Sequence, residues 1–159
     1  MPHLSVLLAE DNHDHQDLPL QALAEHCPDA EVRTVETGHE VLEALRQREF
    51  DCALLDFILP DNTADQLLTL AGRERRGCPV LVVSGSSDQD VAVAGMRSGS
   101  ADFVPKAEAV RGDKLWRRVE HAISGHRRLR REKRRGDRRP APLVTFCETD
   151  ALTLRRQAN

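Results

Sequence analysis

An α/β fold with a doubly wound parallel sheet is the architecture this sequence predicts, on two observations. Five short apolar runs recur along the chain, and each is followed by a segment with helical spacing of its apolar residues. The first, third and fourth runs are almost continuously apolar, as strands covered by helices on both faces should be. Five strand–helix units joined by right-handed crossovers give one such sheet. At 159 residues, with 40% hydrophobic and 31% charged content, the chain has room for one ordinary domain and an appendage.

The strands are read at 4–9 (LSVLLA), 31–35 (EVRTV), 52–55 (CALL), 79–83 (PVLVV) and 101–104 (ADFV). The second alternates, as an edge strand would. The helices are marked by Leu20, Leu23 and Ala24; by Val41, Leu42 and Leu45; by Leu67, Leu68 and Ala71; by Val91, Val93 and Ala94; and by Leu115, Val119, Ala122 and Ile123. Pro19 removes a helical N–H, a cost of about 3 kcal/mol outside the first turn, so the first helix is expected to start near Asp17 or to kink. Ser87 or Asp88 is expected to cap the fourth helix, and Asp113 the fifth.

Net charge is -3, but the charges are segregated. Residues 1–123 hold 22 acidic and 12 basic side chains, and residues 124–139 hold 2 and 9. An acidic domain (1–124) is therefore expected to lead into a basic helical extension or linker (125–139) and a tail (140–159) opened by Pro140 and Pro142. The run HRRLRREKRR at 126–135 has no interleaved aromatics, and a nucleic-acid role is not expected of it. It reads first as a solvated continuation of the last helix, second as arginines folded back on the acidic domain. Leu115, Val119, Ala122 and Leu129 lie near a heptad register, which leaves a homodimer open.

The opening MPHLSVLLAEDN lacks a basic segment, and its apolar stretch is too short for a signal peptide or a membrane span, so a cytoplasmic protein is expected. Cys27, Cys52, Cys78 and Cys147 form no C-x-x-C pair and read as reduced, small hydrophobes.

In an open parallel sheet the carboxyl ends of the strands share one edge, where ligands bind. Glu10 and Asp11 follow the first strand, Asp56 the third, Ser84 the fourth and Lys106 the fifth. Any one of these has an ordinary structural explanation, as a helix cap, a turn residue or a solvated charge. Together on one edge they form a cluster. Carboxylates so placed repel unless a cation is present, and an all-oxygen donor set favours Mg²⁺. Lysine is scarce here, three against 20 arginines, so a compact charge at Lys106 suits an oxyanion beside the metal.

The Glu-Asp pair, LLDFILPD around the third strand, VVSG closing the fourth and ADFVPK at the fifth resemble the receiver domain of two-component response regulators, over residues 4 to about 124. The resemblance implies a flavodoxin-like sheet in the order 2-1-3-4-5 and a phosphoryl group taken by an aspartate from a histidine kinase or histidine phosphotransferase. It makes Asp56 the phosphoacceptor and places Glu10, Asp11, Asp56 and the backbone carbonyl of Ile58 around Mg²⁺. Lys106 becomes the phosphoryl-binding cation, and Ser84 and Phe103 the switch pair. The output would be phosphorylation-dependent binding of a downstream protein through the fourth helix, fifth strand and fifth helix, with Trp116 on that face if exposed. Ile58 and Ser86 border the route of attacking water, and an apolar Ile58 is expected to lengthen the phosphoaspartate lifetime.

Three departures stand out. Ala107 follows Lys106 where the family has proline, Pro105 precedes it, and Ala64 stands where glycine is common, so both loops are expected to differ. The ending TDALTLRRQAN faintly resembles the start of a diguanylate cyclase domain, so a longer regulator whose cyclase or nucleic-acid-binding output is missing is an alternative. The enzyme alternative is a Mg²⁺-dependent aspartyl-phosphate hydrolase, but such enzymes carry a second aspartate where Ile58 stands. No enzyme activity is expected beyond self-phosphorylation from small donors and self-dephosphorylation.

Overall fold

A computed structural model describes residues 3–73, 78–85, 102–109 and 111–134. The expected fourth helix, Ser86, the Ser87 or Asp88 cap, Cys147 and the 140–159 tail lie outside the described residues. The elements are β1 (Ser5–Ala9), α1 (His13–His26), β2 (Glu31–Val35), α2 (Gly38–Gln47), β3 (Cys52–Asp56), α3 (Ala64–Arg73), β4 (Val80–Ser84), β5 (Asp102–Pro105), a single turn α4 (Lys106–Ala109) and the long α5 (Gly112–Arg134). The five strands form one all-parallel sheet in the order β2-β1-β3-β4-β5.

Alternation along each strand divides the core in two. Val6, Leu8, Leu54, Leu81 and Val83 face one side, where Leu23 of α1 and Leu115, Val119 and Ile123 of α5 cover them. Leu7, Ala9, Leu55 and Val82 face the other, against Val41 and Ala44 of α2 and Leu67 of α3. Both faces of the central strands are thus dry, which is why their sequences are continuously apolar. Leu115 and Val119, two members of the stripe near a heptad register, are spent on the sheet.

Two helix starts differ from expectation. α1 begins at His13, not near Asp17, because Asn12 caps it: its side chain accepts from the Asp14 amide at 3.0 Å, and Gln16 ties the first turn to the Glu10 carbonyl at 2.7 Å. Pro19 is buried inside the helix, where packing offsets its missing hydrogen bond. Asp113 lies within the first turn of α5, after a start at Gly112, so it meets the helix dipole rather than capping it.

The β3–α3 loop closes tightly despite Ala64. Leu59 N–H donates to Asn62 O at 2.9 Å, Ala64 N–H donates to Phe57 O at 2.8 Å, and Ala64 is fully buried. Asp61 then reaches across to α2, accepting from the Gly38 amide at 2.6 Å and the His39 amide at 2.9 Å. Those bonds hold its carboxyl below the usual range, against a burial effect that pushes it up. α2 also carries a full capping box between Thr37 and Glu40. A methyl group at Gly38 would sit 2.6 Å from Asn62 Oδ1 and 2.9 Å from Leu67 Cδ2. Gly38→Ala is therefore expected to cost about 1–3 kcal/mol in urea unfolding, despite the better helix propensity of alanine. An unchanged midpoint would show that the loop yields.

α5 overruns the sheet. Its basic end turns back onto the domain's own acids, with Arg127 on Asp51 at 3.0 Å and Arg130 on Glu49 at 3.6 Å. Asp51 also accepts from the Ser5 amide at 3.0 Å, so the first basic turn is tied to the amino end of β1. Trp116 does not stand free: it is half-buried and stacks on His26 of α1, ring centroids 5.7 Å apart. Burial pushes the Cys78 thiol up to about 11 and raises Cys52 as well, in keeping with inert, reduced side chains.

Candidate functional site

The carboxyl ends of β1, β3, β4 and β5 deliver the expected side chains to one place. β1 stops at Ala9, and the next residue, Glu10, is buried; its amide donates to Val35 O at 3.1 Å and its Oε1 accepts from the Asn12 amide at 3.1 Å. Asp56 is the last residue of β3, in register with Val83, and the Phe57 amide holds to Val83 O at 3.2 Å. Lys106 opens α4 directly after β5. The residue before a proline is pushed out of helical conformation, so alanine at 107 is what allows Lys106 to start a turn there. Pro105 ends an edge strand, where its missing N–H costs nothing in the ladder.

The ammonium of Lys106 lies 2.6 Å from Glu10 Oε2 and 3.0 Å from Asp56 Oδ2. Burial opposes its charge, but its hydrogen bonds to Glu10 and Asp56, and their charges, win and hold its pKa above the usual lysine value. For Glu10 burial dominates and pushes the carboxyl up, against the pull of Lys106 and the Asn12 amide; the Asp56 charge adds to the rise. Among the described residues Glu10, Asp11 and Asp56 form a carboxylate group whose ligand atoms lie within 4.8 Å of one another, Asp11 being exposed. One ammonium among three carboxylates leaves negative charge over, and an oxygen-only set with one solvent-facing member fits a hard, partly hydrated ion such as Mg²⁺.

Ser84 is buried at the end of β4, opposite Pro105 in register. Phe103, half-buried, packs on the α2–α3 side of the sheet, and so lies across the sheet from Trp116. Asp102, its neighbour, takes Arg118 through both carboxylate oxygens at 3.0 and 2.8 Å, which fastens β5 to α5. The Ile58 side chain is 68% exposed, and its amide faces Asp56 Oδ1 at 3.5 Å. A cavity of about 260 Å³ opens at the site, where Glu10, His15, Asp56 and Lys106 line it together with the apolar Leu8, Leu18 and Pro19.

Two residues at the site carried no signal that was used in the sequence. Gln16 fixes the Glu10 backbone, and His15 brings Nδ1 to 2.9 Å from Lys106 Nζ. The available signal was the polar run HDHQ one turn after the acidic pair, which a helix start placed near Asp17 hid.

Comparison with known proteins agrees with this geometry. The family model for the response regulator receiver domain matches residues 6–119, and the chain belongs to that family. It is 32% identical over 102 residues to the luminescence regulatory protein LuxO of Vibrio campbellii, covering 64% of this chain and 22% of that one. With the DNA-binding transcriptional regulator NtrC of Escherichia coli it shares 35% identity over 91 residues, 57% of this chain and 19% of the relative. The chain thus spans about a fifth of the length of these curated relatives. A CheY-like receiver domain protein from Methanospirillum hungatei superposes with a TM-score of 0.71 at 23% identity, over 80% of this chain and 98% of the other, a likeness of fold. This is a receiver domain of two-component signalling, homologous to phosphoacceptor domains. No helix among the described residues is long and apolar enough to cross a membrane.

Proposed function

We propose that Asp56 accepts a phosphoryl group from a histidine kinase or histidine phosphotransferase, and that the chain signals by phosphorylation-dependent binding of another protein rather than by turning over a substrate. The observation that supports this best is Asp56 at the end of β3, its Oδ2 paired with Lys106 and its neighbours Glu10 and Asp11 gathered around it. Glu10, Asp11, Asp56 and the Ile58 carbonyl would hold Mg²⁺, which when bound supplies charge neutralisation for the incoming phosphoryl group. Lys106 holds the carboxylate in place and offers its protons to phosphoryl oxygens. Buried Ser84 would take one of those oxygens and Phe103 would repack in response, shifting the surface beside β5 and α5. Trp116 belongs to the opposite, α1-facing side and is left out of that surface.

Residues 1–124 would be the switch, 125–139 a helical extension and 140–159 a separate tail; the site would work in the cytoplasm. The hydrolase alternative lacks its second acid, since Ile58 occupies that position. The test is incubation with Mg²⁺ and a small acyl phosphate donor, then intact mass and fragmentation. A gain of one phosphoryl mass per chain, located on Asp56, supports the proposal; continuous phosphate release by the unmodified chain favours a hydrolase. With Ile58 projecting beside the acceptor, Ile58→Asn is expected to shorten the phosphoaspartate half-life several-fold, measured as loss of the added mass.

A further inference from the structure

We propose that His15 is a positioning residue for Lys106, the third acceptor that aims the ammonium at Asp56; this rests on the reading of Asp56 as phosphoacceptor. An ammonium has three protons and no lone pair. Here three acceptors stand at hydrogen-bond distance: Glu10 Oε2 at 2.6 Å, His15 Nδ1 at 2.9 Å and Asp56 Oδ2 at 3.0 Å. Because lysine only donates, the imidazole presents the Nδ1 lone pair and carries its proton on Nε2. The full set leaves the Lys106 head one orientation, where two acceptors would let it swing about the line between them.

The three acceptors differ in what happens to them during transfer. An Asp56 oxygen forms the new P–O bond while the donor's bond to phosphorus breaks and its electron pair leaves with the donor. The Asp56 carboxylate becomes an uncharged acyl group, the unit of charge it loses leaving with the donor, and the negative oxygens the site now holds are those the phosphoryl group brought; the lysine proton that faced Asp56 must turn to them. Glu10 and His15 do not change, so they define the axis about which Lys106 re-aims. Glu10 alone, a charged acceptor at 2.6 Å, would draw the ammonium away from the acceptor; His15 Nδ1 at 2.9 Å gives the ammonium a second fixed partner without adding a further negative charge to a site already holding three carboxylates.

The scaffold beneath His15 is firm. Asn12 caps the turn it stands on, and Gln16, the next residue, locks that turn to the Glu10 backbone at 2.7 Å. The imidazole itself is 48% exposed, so its removal opens no core. It also lies 3.8 Å from Glu10 Oε1, beyond a direct hydrogen bond.

The test compares wild type, His15→Ala and His15→Asn, whose amide oxygen falls near the Nδ1 position. Phosphorylation by Mg²⁺ and acetyl phosphate is followed by intact mass over a range of donor concentrations, beside thermal unfolding and calorimetric Mg²⁺ titration. His15→Ala is expected to phosphorylate about tenfold more slowly at saturating donor, with melting temperature and Mg²⁺ affinity unchanged, and His15→Asn to recover most of the rate. A wild-type rate in His15→Ala overturns the proposal, as does an equally slow His15→Asn or a matching loss of Mg²⁺ affinity. Those results leave the Asp56 reading intact. A wild-type chain that takes no phosphoryl group at Asp56 overturns both.

Discussion

Asp56→Asn is expected to take up no phosphoryl group from Mg²⁺ and a small donor, a loss of at least about 10³-fold, while remaining folded. The amide matches the carboxylate in shape, so the β3 register, the Phe57–Val83 bond and the Ile58 amide contact can persist. What goes is the charge. An amide oxygen is a poor nucleophile towards phosphorus, and the Lys106 ammonium, now facing only Glu10 as a charged partner, loses its reason to stay over the acceptor. Stability should move little or rise slightly, because one member of a three-carboxylate cluster has been neutralised. Intact mass and a thermal melt on the same sample separate the two effects. Phosphoryl uptake at the wild-type level in the variant would place the acceptor elsewhere.

Lys106→Ala should slow phosphorylation by about 10²–10³-fold, the effect of losing one oriented charge at a developing oxyanion. Its second consequence has the opposite sign. Lys106 and a divalent cation compete for the same carboxylates, since its ammonium lies 2.6 and 3.0 Å from Glu10 and Asp56. Two like charges 4 Å apart cost about 1–4 kcal/mol at the dielectric of a protein surface, so without the lysine Mg²⁺ should bind roughly tenfold more tightly. Calorimetric titration gives that sign directly. Weaker Mg²⁺ binding in Lys106→Ala would mean that the lysine organises the acidic cluster instead of competing for it. Glu10 would respond as well: its carboxyl, already raised by burial, loses its main counter-charge and should rise further.

The acidic residues and Lys106 were legible in the sequence because parallel strands all end on the same edge, so knowing where each apolar run stops is enough to know which polar residues meet. Strand limits are short-range information, and the sequence carries them clearly. His15 was hidden for a related reason. Pro19 argued for a late start to α1, which put His15 in a loop, whereas Asn12 and Gln16 hold the first turn firmly enough for proline to sit in the helix interior. A rule about one residue's backbone lost to two side chains acting together. The Asp61 bonds to the start of α2 span 22 and 23 residues and depend on how a loop is folded, which spacing cannot show. Spacing alone makes the basic run a solvated stretch; the pairing of its arginines with Glu49 and Asp51 depends on how far α5 overruns the sheet, which spacing does not carry.

That overrun changes what a connecting segment can do. α5 is gripped at two levels, by Arg118 on β5 near its start and by Arg127 and Arg130 on the loop before β3 a few turns later. A rod held at two points along its length can neither swivel nor tilt freely. It works as a splint: the two contacts fix the direction in which α5 runs from Gly112 to Arg134 relative to the sheet.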